Sequence, residues 1–78
     1  MNKTFDVYKG AHGKAYAVFT DLSLPKTDMI HQANRQHFRG KLESLKCSSG
    51  YITKDGELFL SSRYVEDVQT VWVVHHKD

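Results

Sequence analysis

His31, Arg35 and Arg39 stand four residues apart in the stretch IHQANRQHFRGK. On a helix that spacing stacks three side chains in one row. Gln32 and Gln36 flank the row one step over, and Lys46, seven beyond Arg39, extends it. Arginine and glutamine present N–H donors that suit carboxylates, phosphates or base edges. Between residues 26 and 46 stand five Lys or Arg (Lys26, Arg35, Arg39, Lys41, Lys46) and two acids (Asp28, Glu43), a local charge of +3. The whole chain carries +2, so the remainder stands at −1. That asymmetry marks a candidate binding face made of His31, Gln32, Arg35, Gln36, Arg39 and Lys46. The same residues would also serve as the wet side of a packed helix, whose carboxyl end favours cations.

Other chemistry finds less support. Five histidines invite a metal, yet His75 and His76 are neighbours on an expected strand and leave it on opposite faces. No Cys-x-x-Cys or His-x-x-x-His supplies the converging ligands that zinc needs. No metal and no cofactor is expected. Cys47 is the single cysteine, placed just past the expected helix, where the dipole does not lower a thiol pKa. A small, half-buried apolar role suits it. The serines of CSSG lack a glycine elbow and a base placed by sequence logic. GAHGK falls short of the phosphate-loop spacing and joins two strands. No catalytic residue is assigned, and an enzyme is the least favoured class.

The elements that position these residues follow from periodicity. TFDVY alternates as a half-buried strand, with Phe5 and Val7 on one side. KGAHGK is a loop, and Ala15 to about Asp21 a second strand. Ser23, with Thr27 as a rival, is expected to cap a helix over residues 24 to 46, with Pro25 in its first turn. Ile30, Ala33, His37, Phe38, Leu42 and Leu45 form its apolar stripe. Gly40 is its weak point, either a close approach to the sheet or a kink. CSSG ends the helix. YITKDGELFLS predicts a hairpin with a two-residue Asp55-Gly56 turn, pairing Lys54 with Glu57 and Ile52 with Phe59. TVWVVHH is nearly continuous in apolar residues and predicts a central strand. Val65 to Val68 read as a tight turn in a meander, with a helical turn of Tyr64, Val65 and Val68 as the alternative.

These elements make one α+β domain over residues 1–78, in the order β-β-α-β-β-β, with one helix packed across an antiparallel sheet. The expected core is Phe5, Val7, Val18, Ile30, Phe38, Leu42, Phe59 and Trp72. At 78 residues that core is thin. A single cysteine in so small a domain points to a reducing, cytoplasmic setting. No signal peptide is expected, and no window approaches a membrane span. The favoured function is a small protein-binding module, an inhibitor or adaptor of a larger complex, nucleic-acid-processing and defence complexes included. Compact single-domain proteins of this kind are typical of phages and mobile elements. The expected partner is a protein with an acidic surface. The alternative is a nucleic-acid binder using the basic helix face together with Lys3, Lys9 and Lys14. A homodimer through the uncovered sheet face is a further expectation.

Overall fold

The structure is a computed structural model that describes residues 5–10, 12–61 and 66–77. In chain order it contains β1 (Asp6–Lys9), β2 (Ala15–Phe19), α1 (Lys26–Ala33), β3 (Leu45–Ile52), β4 (Leu58–Phe59) and β5 (Gln69–His76). The expected α+β order holds, with one helix on one five-stranded antiparallel sheet. Across the sheet the strands run β1-β2-β5-β3-β4. The apolar run of β5 thus lies at the centre, where both of its faces are covered. It pairs with β3 from Leu45 opposite His76 to Ile52 opposite Gln69, and with β2 from Ala17 opposite Val74 to Phe19 opposite Trp72.

The expected meander is not what forms. β5 inserts between β2 and β3 instead of lying beside β4. Two ladders on long neighbours satisfy more backbone groups than the two-residue β4 can offer. Glu66 and Asp67 form a turn, with Asp67 at a φ of 60°. Tyr64 and Val65, which the helical-turn alternative needed, lie outside the described residues, as does Lys3.

Both hairpins close in the same way. In the β3–β4 turn the Gly56 N–H donates to the Thr53 carbonyl at 2.9 Å, and the Thr53 N–H donates to the Glu57 carbonyl at 3.0 Å. Gly56 sits at a φ of 86°. This is a three-residue loop, a turn followed by a left-handed glycine bulge, and not the expected two-residue turn. The register shifts by one as a result: Ile52 faces Leu58 and Tyr51 faces Phe59. The β1–β2 turn repeats the pattern, with Gly13 N–H to the Gly10 carbonyl at 3.0 Å and Gly10 N–H to the Lys14 carbonyl at 2.8 Å. Gly13 takes the left-handed position at a φ of 77°.

The helix is shorter than its periodicity predicted. Pro25, in extended conformation, stands at the cap, and its carbonyl accepts the first helical bond from Met29 at 3.1 Å. Ser23 is not the cap. Its N–H and hydroxyl both donate to the Asp21 carboxylate, at 3.1 and 2.5 Å, and hold that carboxyl below its ordinary pKa. After Ala33 the helix widens into a π turn over Asn34–Phe38, and a left-handed Arg39 ends it. A 3-10 turn (Leu42–Ser44) then leads straight into β3. CSSG is therefore mid-strand, not a helix end, and Leu45 belongs to β3. Gly50 is a strand glycine at a close approach, because a Cβ there would stand 2.6 Å from the Phe59 carbonyl oxygen.

The core has two sides. Facing the helix, Phe5, Ala17, Phe19, Leu45 and Val74 pack with Met29 and Ala33. Phe5 and Phe19 meet with ring centroids 5.0 Å apart. Ile30, Phe38 and Trp72 join this side half-buried, as does Cys47. Val7, Leu42 and Phe59, expected in the core, are 40%, 41% and 42% exposed. The short helix contacts β3 and β5, so Val7 on edge strand β1 and Phe59 on edge strand β4 lie beyond its reach. Leu42 left the stripe when the helix ended before it.

On the opposite side Val18, Val71 and Val73 are 2%, 0% and 0% exposed, with no helix above them among the described residues. Tyr8, Tyr16, Ile52 and Leu58 pack over them. Tyr8 comes from one edge strand and Leu58 from the other, and the sheet curls so that both edges pack on one valine cluster. Among the described residues, the face opposite the helix is thus covered at its centre by side chains of the sheet itself.

Met29 is fully buried beneath the helix. Met29→Ala should cost about 2 to 5 kcal/mol, a large fraction of the stability of so small a domain. Leu42→Ala, at an exposed position, should change stability by about 0.5 kcal/mol or less. Urea titrations of both variants check this; equal losses would mean that the helix stripe extends to Leu42 after all.

Candidate partner-binding face

The basic face is built by the way the helix ends. Asn34 is the first residue of the π turn, and its side chain reaches forward six residues. Its Nδ2 donates to the Gly40 carbonyl at 2.9 Å, and its Oδ1 accepts from the Gly40 N–H at 2.8 Å. The Arg39 N–H donates to the Asn34 carbonyl at 2.6 Å. Three hydrogen bonds from one residue therefore lock the reversal, and they lock Arg39 at a φ of 53° and ψ of 41°. A left-handed conformation costs a side-chain-bearing residue roughly 1 to 2 kcal/mol. Gly40, the residue that could adopt it freely, follows one position later and has open space where a Cβ would stand.

The π turn also explains how Phe38 stays on the sheet. Met29 and Ala33 are four apart on the buried side. A π turn closes five residues on, so Phe38 comes round to the position after Ala33. Its ring packs edge-on against His76 at the end of β5, centroids 5.0 Å apart, and His37 packs edge-on against Phe38 at the same distance. The anchor leaves the other residues of the turn outward.

His31, Arg35, Gln36 and Arg39 are all exposed, and Gln32 is half-buried. His31 and Arg35 span the junction of α1 and the π turn, while Arg39 projects from the reversal rather than from the helix row. Among the described residues no carboxylate pairs with Arg35 or Arg39. Lys46 does not extend the row. It lies on β3 opposite His75, and since its neighbours Leu45 and Cys47 face the helix, Lys46 points to the other side of the sheet. The residue that sequence reasoning missed is Asn34, because a side chain bonding six residues ahead is not a local signal. At the start of the helix, Lys26 places its ammonium 4.4 Å from the Trp72 ring centroid, within cation–π range, and so caps the half-buried indole.

The nucleophile candidates resolve differently. Cys47 lies in mid-β3 on the helix side, half-buried. Burial pushes its thiol above the ordinary value, against a smaller opposite pull from Lys26. Ser48, on the other face, has the base that the sequence did not place. Its hydroxyl lies 3.0 Å from Nε2 of His75. His75 Nδ1 lies 3.0 Å from the His76 carbonyl, which can only accept, so Nδ1 carries the proton and Nε2 accepts from Ser48 in the neutral ring. A serine, an imidazole and an orienting acceptor form the arrangement of an activated nucleophile. Here, however, His75 is 9% exposed, with the Tyr16 ring 5.6 Å away. The pair cross-links β3 to β5 inside the fold. Among the described residues no group of three or more His, Cys, Asp or Glu is placed to hold a metal ion. No helix there is long and apolar enough to cross a membrane.

Compared with known proteins, the chain matches no family model, no curated protein and no solved structure.

Two outcomes follow from this geometry. Arg39→Gly should remove the left-handed strain while keeping the Asn34 clamp, and raise stability by about 1 kcal/mol; Arg39→Ala should give no such gain. A thermal melt of the two variants decides, and a destabilised Arg39→Gly would contradict the strain. Cys47 should react with iodoacetamide more slowly than a free thiol at pH 8 and accelerate as pH rises past the ordinary thiol range. The sign is that of a raised pKa: the folded state prefers the neutral thiol, so this group's contribution is whole below the unfolded pKa and is lost as pH climbs through the folded one. Native alkylation as fast as in urea would refute the burial.

Proposed function

We propose that this protein acts by binding an acidic surface on another protein through the arginine-bearing turn that ends its helix, in the manner of an inhibitor or adaptor. One observation carries the reading. Arg39 is held in a costly left-handed conformation by three hydrogen bonds of Asn34, and its side chain is exposed beside Arg35 and Gln36. Backbone strain of this kind persists where the surroundings over-determine it, and it clusters at binding and switching sites. A π turn is a second feature often met at such sites. Arginines presented by a rigid turn lose little further freedom on binding, and desolvated arginine contacts are among those whose truncation costs most. With Lys46 turned to the other side of the sheet, residues 26–45 still carry four Lys or Arg against two acids, a local charge of +2 in a chain of +2, and this suits an acidic partner. Larger complexes that process nucleic acid or act in defence are the class of target that suits such a small module.

The test uses the double variant Arg35→Ala with Arg39→Gly. Both residues are exposed, so folding should survive. Tagged parent and variant are used to capture partners from the native host, followed by quantitative mass spectrometry and titration of the purified partner. Binding should weaken at least tenfold, equivalent to about 1.4 kcal/mol. Unchanged affinity in a folded variant would remove the turn from the interface. A duplex oligonucleotide supplies the rival arm. Binding to it, with log K falling by about 0.9 per neutralised phosphate as log salt rises, would replace the protein reading with the nucleic-acid one.

A further inference from the structure

The two edges of the sheet meet at a cavity. Its volume is about 310 Å³, and it is lined by Tyr8, Lys9 and Gly10 from one edge, Gly56, Glu57 and Leu58 from the other, with Tyr16 and Phe59 completing the wall. In sheet order these edges are β1 and β4, the first and last strands. The curl that buries Val71 and Val73 has brought them within one cavity of each other. Among the described residues the two strands share no ladder.

Hydrogen-bond parity shows what the cavity walls offer. Gly10 donates to Lys14 across the hairpin, so in the antiparallel ladder Tyr8 and Asp6 also turn their backbone groups toward β2. Val7 and Lys9, between them, send their N–H and C=O outward. Thr53 and Glu57 form the bonded pair that closes the second hairpin, so Phe59 turns toward Tyr51 of β3 and Leu58 sends its N–H and C=O outward. Lys9 and Leu58 both line the cavity. Among the described residues its two walls therefore present backbone donors and acceptors that no ladder uses, the chemistry that recognises an extended peptide.

Strand direction says which way that peptide would run. Each of the four neighbouring pairs is antiparallel. Direction therefore alternates across the sheet, and β1 and β4 point the same way. They cannot join each other antiparallel. One further strand can run antiparallel to both, and it would convert five strands into a closed six-stranded antiparallel barrel without edges. We propose that the seam between β1 and β4 is a docking slot for one extended peptide segment of a partner protein, bonded on one side to Lys9 of β1 and on the other to Leu58 of β4. Alternate residues of that segment point inward. They meet Tyr8, Tyr16 and Leu58, so they are apolar, and the cavity holds about ten waters' worth of volume, enough for one or two such side chains. The residues between them pass Lys9 and Glu57 and are polar. This site is separate from the arginine turn and does not rest on it.

The probe is a set of sixteen acetylated, amidated pentapeptides with Thr at positions 1, 3 and 5 and each of Val, Leu, Phe or Tyr at positions 2 and 4. Titrations of the full-length protein are read by amide NMR. At least one member should give saturable shifts at Lys9 and Leu58 and slow the exchange of their amides tenfold or more. Leu58→Pro removes an outward N–H that no ladder bond uses, and although it trims a side chain packed on the valine cluster and so lowers the melting temperature, a folded variant should bind peptide at least tenfold more weakly. Melting curves verify that the variant folds. A second arm leaves the protein unaltered and N-methylates the central peptide residues, which should weaken binding equally. The Arg35→Ala, Arg39→Gly variant should bind the peptides as the parent does, which separates this proposal from the arginine reading. Absence of binding across the whole set would overturn the slot. So would shifts confined to other residues, or binding that survives both the proline and the N-methyl arms, which would leave an apolar cavity without strand pairing.

Discussion

The pairing of β5 on both of its edges is the constraint on which the rest depends. Its register with β3 spans Gln69 to His76, and with β2 it spans Trp72 to Val74. Its side chains fill both faces, Val74 toward the helix and Val71 and Val73 toward the curled interior. A strand bonded on both edges and covered on both faces cannot shift by one residue without turning every side chain to the wrong side. β3 is held in place by that strand rather than by its own composition. Leu45–Ile52 reads LKCSSGYI, a poor strand by propensity. The Ser48–His75 pair, polar and almost enclosed, sits on this ladder and adds a side-chain tie to the backbone one.

Drawing β3 into the sheet at Leu45 sets the length of the helix. Only the residues from Phe38 to Leu45 remain to bring the chain from the end of one to the start of the other. The reversal has to be abrupt, and Asn34 makes it so by bonding both backbone groups of Gly40 and the N–H of Arg39. The π turn keeps Phe38 on His76 while this happens. The strain at Arg39 is a local cost of that geometry, and the exposure of Arg35, Gln36 and Arg39 is its consequence. Fold and candidate face are therefore linked: the same reversal that lets β3 begin early also presents the arginines.

The curl of the sheet solves a problem common to small domains. One helix cannot cover both faces of five strands. Here, among the described residues, the second face is covered by the sheet's own side chains, with Tyr8 and Leu58 from opposite edges packing on one valine cluster. Among the described residues closure stops short of a ladder, and the odd number of antiparallel strands leaves the two edges at the seam pointing the same way.

Composition and periodicity alone determined the class, the element order, the central place of the VWVV strand and the local charge excess around the helix. These rest on local patterns, apolar spacing and charge counts, that survive whatever the chain later contacts. Of the candidate residues, His31, Arg35, Gln36 and Arg39 were legible as exposed polar positions for the same reason, while Gln32 is half-buried. Tertiary structure decided the rest. Leu42 and Leu45 continue the helical spacing of Phe38 by coincidence, and only the long-range ladder to β5 shows that Leu45 and Lys46 are strand residues. The hairpin register depended on Gly56 taking the bulge position, one residue beyond what Asp-Gly alone suggests. Val7 and Phe59 are apolar in the right pattern yet exposed, because the extent of a helix across a sheet is not written in either element. Side-chain links such as Asn34 to Gly40 and Ser48 to His75 form only between residues that the fold has first brought together.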